Sequence, residues 1–72
     1  MGFINENITI DFNVPKDIKK IMEICDKLSN EENYAYDNYA DFLIDNLCKD
    51  AYVKKHLTKH QWETIERRYH YA

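Results

Sequence analysis

Residues Ile8-Thr9-Ile10-Asp11-Phe12-Asn13-Val14 alternate apolar and polar without a break, and Pro15 ends the run. Successive side chains of an extended chain point to opposite faces, so this period of two predicts a half-buried β-strand over about 8–14. Ile8, Ile10, Phe12 and Val14 fall on its inner face, with Thr9, Asp11 and Asn13 on the outer one. Pro15 cannot donate to a ladder but suits the first turn of a helix, where its missing N–H would be unpaired anyway.

Beyond Pro15 the period changes. Val14, Ile18, Ile21, Cys25 and Leu28 are spaced 4, 3, 4 and 3 apart with Met22 beside them, which predicts an amphipathic helix over about 15–29. Tyr39, Ala40, Leu43, Ile44 and Leu47, extended by Ala51, give a second apolar stripe and a helix over about 38–52. Asp37 or Asn38 would cap it, with Ser29-x-x-Glu32 as a competing, earlier capping box. Thr58-Lys59-His60-Gln61 fits a capping box, flanked by the staple pair Leu57 and Trp62. The third helix then covers about 59–70, with Trp62, Ile65 and Tyr69 on one face and Arg67, Arg68 and His70 in the last turn. The expected architecture is a single domain over 1–72, mainly α with one short N-terminal β-strand.

A chain of 72 residues buries only about 60% of the surface it exposes when unfolded, so such chains often need a metal, a disulfide or a second copy. With 44% hydrophobic residues, one Gly and one Pro, it has ample apolar surface to offset its ordering entropy. No apolar run approaches the roughly 18 residues of a membrane span, and residues 1–10 lack a secretory pattern. Cys25 and Cys48 stand apart on apolar stripes. They are expected to be reduced core thiols in a cytoplasmic protein, without a metal or cofactor. The excess of Lys over Arg, with frequent Asn, Ile and Tyr, suggests a bacterial source.

A lone strand leaves unpaired N–H and C=O groups along both edges. Pairing with the same strand of a second copy would satisfy one edge and enlarge the core, predicting a homodimer. Thr9 to Pro15, followed by Ile18, Met22 and Cys25, resembles the ribbon-helix-helix repressors of the Arc and MetJ type over about residues 8–48. The resemblance implies a ribbon-helix-helix dimer with an additional C-terminal helix, whose inner strand face (Ile8, Ile10, Phe12, Val14) builds the dimer interface. It implies that Thr9, Asp11 and Asn13 read bases in the major groove of operator DNA. Lys16 would lie near phosphate, as would the start of the second helix at Asn38 and Tyr39. The function so implied is that of a small DNA-binding regulator, a repressor or antitoxin.

The charges support a second expectation. Through Cys48 the chain carries four Lys and ten acidic residues, whereas from Lys49 onward it has six basic and three acidic residues. The ribbon itself carries Asp11 and no basic residue. The alternative is therefore a protein-interaction module, or small inhibitor, docking on a protein partner such as a nucleic-acid enzyme without touching DNA. Its partner surface would include Trp62, Arg67, Arg68 and Tyr69. The aromatics Tyr34, Tyr36, Tyr39, Phe42 and Tyr52 around the second helix belong either to the core or to such an interface. His56 and His60, with Glu63 three further on, are kept off one helical face by the Thr58 cap between the two His, and no third strong ligand, nucleophile–base or phosphate-loop pattern occurs. The expected function is therefore not enzymatic, with no small-molecule substrate.

Overall fold

The computed structural model describes residues 3–69 of the chain. In order these form α1 (Lys16–Asn30), α2 (Tyr36–Phe42), a π-helical stretch (Leu43–Cys48), α3 (Lys49–Val53) and α4 (Lys59–Tyr69). Backbone angles remain right-handed helical through Phe42, Leu43, Cys48 and Lys49, so α2, the π stretch and α3 make one unbroken rod. The rod is central. α1 packs on α2 and the π stretch, while α4 packs on the π stretch and α3. Ile18, Cys25, Leu43, Cys48 and Ile65 are fully buried between them, with Tyr36 and Tyr69 closing one end of the core.

The expected β-strand is absent: among the described residues none is in a strand, and residues 3–15 form an irregular arm. The alternation that suggested a strand is nevertheless real as burial. Ile8, Ile10, Phe12 and Val14 are half-buried, while Thr9, Asp11 and Asn13 are exposed. Ile10, Phe12 and Val14 pack on the chain's own helical core, beside Met22 of α1. A period of two reports that one side of an extended chain is covered, and helices can cover it as well as a sheet. With no ladder to complete, the reason for a ribbon-helix-helix dimer falls away, and Ile10, Phe12 and Val14 of the proposed dimer face pack within the chain. The arm is pinned by Phe3 N–H to Ser29 Oγ at 2.7 Å, by Asn5 N–H to the Arg68 carbonyl at 2.9 Å, and by the Arg68 guanidinium donating to the Ile8 carbonyl.

Helix ends explain the shifted boundaries. α1 begins at Lys16 because the Pro15 carbonyl accepts the Lys19 N–H at 3.0 Å, which leaves Pro15 just outside the helix. Ser29 caps no second helix: it lies buried inside α1, holding the arm. The rod starts at Tyr36 rather than at 38, after a turn in which Asn33 Oδ1 accepts the Ala35 N–H at 2.9 Å. α1 and the rod both stop in the same pattern. Asn33 N–H donates to the Leu28 carbonyl and Glu32 N–H to the Ser29 carbonyl; His56 N–H donates to Ala51 and Lys55 N–H to Tyr52. Such a double closure places the residue after the cap in the left-handed region. Glu32 (φ 51°) and Lys55 (φ 65°) take those positions.

The capping box of α4 forms reciprocally: Thr58 Oγ1 accepts the Gln61 N–H at 3.1 Å, and Gln61 Oε1 accepts the Thr58 N–H at 3.0 Å. Leu57 is buried and Trp62 packs against the same core. The described helix ends at Tyr69, and His70 and Tyr71 lie outside the described residues.

The π stretch has a sequence cause. Tyr36, Ala40, Ile44 and Cys48 are buried at strict four-residue steps. In an α-helix each such step overshoots a full turn by about 40°, so the stripe would wind off the core by Cys48. A wider turn in the middle takes up the excess. Trp62 Nε1 donates to the Ile44 carbonyl in this stretch at 3.1 Å, which ties α4 to the irregularity.

Candidate docking surface

The rod that buries Tyr36, Ala40, Leu43 and Ile44 turns the other residues of α2 and its flanks outward. Tyr34 is 80% exposed, Phe42 45% and Tyr39 39%. Asp37, Asp41 and Asp45 are exposed along the same rod at four-residue steps. Between Lys27 and Lys49 the chain has five acidic residues and no Lys, Arg or His. Three large aromatic rings therefore stand exposed on a stretch of chain that carries acids and no base.

Part of this surface is concave. A cleft of about 420 Å³ opens at the start of α2, walled by Phe3, Tyr34, Tyr36 and Tyr69, with Ala40 beneath and Asp37 and Asp41 alongside. The arm helps to build it: the Phe3 ring lies 5.9 Å from that of Tyr34 and 5.2 Å from that of Tyr36. The Tyr36 hydroxyl donates to the Tyr69 carbonyl, and the Tyr69 hydroxyl to Asp26 Oδ1 at 3.1 Å. Both phenols are held above their usual pKa, chiefly by burial, Tyr69 at about 12. They remain neutral donors. Burial likewise raises the Asp26 carboxyl above 3.8, against the lowering effects of the Tyr69 hydroxyl and Arg68.

The opposite end of the rod differs in charge. Lys54, Lys55, His56, Lys59 and His60 surround the turn into α4. There Tyr52, Val53 and Leu57 line a shallow groove of about 520 Å³. Lys54 pairs with Asp50 at 3.1 Å, but both side chains are solvent-exposed and the pair contributes little.

Of the residues expected to meet DNA, Thr9, Asp11 and Asn13 share the outer side of the arm, Lys16 opens α1, and Asn38 is exposed on α2. They belong to three separate elements, and the first three are not presented by a strand. Of the expected C-terminal partner surface only Arg67 is exposed. Trp62 is held by the Ile44 carbonyl and Arg68 by the arm, while Tyr69 is buried. Trp62, Ile65 and Tyr69, spaced three and four apart, form an inward stripe, because α4 walls the core. Sequence reasoning named Tyr34, Tyr36, Tyr39 and Phe42 as core or interface without separating them; the structure buries Tyr36 and leaves the other three exposed, within 21 consecutive residues, 28–48, that carry no base.

Cys25 and Cys48 are fully buried free thiols, pushed up to about 12 by burial and secondarily by nearby acids. Neither is placed to act as a nucleophile. Among the described residues no three potential ligands gather around a common point, and no helix is long and apolar enough to cross a membrane. Compared with known protein families, with curated proteins and with solved structures, the chain matches none.

Proposed function

We propose that the chain is a small protein-interaction module that docks, through the acidic aromatic face of its central rod, onto a basic surface of another protein. A nucleic-acid enzyme or other nucleic-acid-binding protein is the class of partner whose working surface has that charge. The observation that carries this reading is the exposure of Tyr34, Tyr39 and Phe42 among Asp37, Asp41 and Asp45, with no base between Lys27 and Lys49. Exposed aromatics supply the desolvated anchors of an interface, and surrounding charge selects the partner and speeds encounter. Nucleic acid is disfavoured on the same face, because its phosphates would meet carboxylates rather than the cations whose pairing drives such binding.

The test is an affinity capture from cell extract with the native chain and with a charge-reversed variant, Asp41→Lys with Asp45→Lys. The reading predicts one stoichiometric partner, lost with the variant and weakened by added salt, whose contact surface maps to Lys and Arg by crosslinking. Duplex DNA bound at micromolar concentration, with that binding lost in Asn13→Ala, would overturn it.

A further inference from the structure

We propose that the cleft at the start of α2 receives a single arginine side chain projecting from the partner. This rests on the docking reading above and names the chemistry of its anchor. The cleft holds about 420 Å³, the lower range for a ligand pocket, enough for a guanidinium and its stem. Its wall is aromatic. Phe3 packs tilted against Tyr34 and Tyr36 at 42° and 35°, and Tyr36 is fixed through its hydroxyl to the Tyr69 carbonyl. Ala40 beneath leaves open the volume that a longer side chain would fill.

The edge supplies charge. Asp37 and Asp41 stand one helical turn apart, both exposed, and no Lys or Arg among the described residues pairs with either. A planar cation with several donors suits this combination. Guanidinium can stack on an aromatic face while its N–H groups reach carboxylates, whereas ammonium is a compact, strongly hydrated point charge that gains less from the rings. An anion would find no base among the described residues that line the cleft, and a neutral apolar group would leave both carboxylates unused.

The experiment is a titration of the full chain, followed residue by residue by amide NMR, with N-acetyl-arginine amide and the uncharged isostere N-acetyl-citrulline amide. The expected result is saturable shifts at Tyr34, Asp37, Ala40 and Asp41 with arginine only. Asp37→Asn combined with Asp41→Asn should weaken that binding about tenfold or more, and Tyr34→Ala should weaken it as well. All three positions are solvent-facing or rim positions, so the variants keep the fold, which the unchanged spectrum elsewhere verifies. Linear shifts, equal response to citrulline, or saturation mapping to another surface would each overturn the arginine assignment. No partner is needed for this titration. A chain that captures a basic partner but ignores arginine amide loses the anchor and keeps the docking reading; one that binds arginine amide but captures nothing loses the docking reading alone.

Discussion

The Tyr36 hydroxyl donates to the backbone carbonyl of Tyr69, closing the start of the central rod onto the end of α4 across 33 residues. Both groups are buried, so the bond is hard to replace with water. Tyr36→Phe keeps the ring and its packing but leaves the Tyr69 carbonyl without a partner, which costs about 1–3 kcal/mol. Urea unfolding followed by the fluorescence of Trp62, the single tryptophan, should show a lower midpoint with an unchanged slope.

Lys55 sits in the left-handed region at φ 65°. A β-carbon there costs about 1–2 kcal/mol relative to glycine, which the closing hydrogen bonds of the rod must offset. Lys55→Gly should therefore stabilise the chain by about 0.5–1 kcal/mol once glycine's greater unfolded freedom is subtracted. A lowered melting temperature in this variant would show that the lysine contributes something the backbone geometry does not reveal.

These helix ends mark what the sequence could and could not convey. Apolar spacing of three and four, and the Thr58–Gln61 box, are local signals, and the helices form where those signals lie. The stops at Glu32 and Lys55 were illegible because the usual signal is glycine and the single glycine of the chain is Gly2. The arm was misread because alternation reports a covered side and says nothing of what covers it. Tyr34 and Tyr36 look alike in sequence, yet one is 80% exposed and the other buried. The difference arises at the Asn33 turn, a non-periodic feature, which leaves Tyr34 in solvent and lets Tyr36 open the rod against the core.

Cys25 and Cys48 are both fully buried, with thiols held at about 12 by burial. At pH 8 almost no thiolate exists in the folded chain, and reagent has no path to it. Iodoacetamide should label neither cysteine in the native protein and both in urea. Labelling under native conditions should proceed no faster than unfolding, so stabilising variants such as Lys55→Gly should slow it. Fast modification of one cysteine alone would mean that its helix opens separately.

Asp26 accepts from the Tyr69 hydroxyl at 3.1 Å, yet its carboxyl is raised above 3.8, because burial outweighs that bond and the nearby Arg68. The folded chain therefore holds a proton on Asp26 more tightly than the unfolded chain does. By linkage, stability from this group is full below 3.8 and declines as pH rises through the folded value. Asp26→Asn removes the ionisation and retains an acceptor for Tyr69. The variant should exceed the native chain in stability at pH 7, and the gap should narrow as pH falls toward 3.8. A gap constant with pH would place the effect in packing rather than charge.

Phe42 and Leu43 are adjacent on the rod, yet Phe42 is 45% exposed and Leu43 fully buried. Leu43→Ala removes buried methyl groups from the centre of the core and should cost about 2–5 kcal/mol. Phe42→Ser leaves the core intact and should change stability by about 1 kcal/mol or less. Binding should follow the opposite order. If the outer face of the rod is the interface, Phe42→Ser abolishes partner capture in a chain that melts almost normally, because aromatic anchors dominate interface energies. Leu43→Ala should still capture its partner at temperatures where it remains folded. Equal loss of capture in both variants, in step with their stability, would show that partner binding tracks folding and that the exposed ring is incidental.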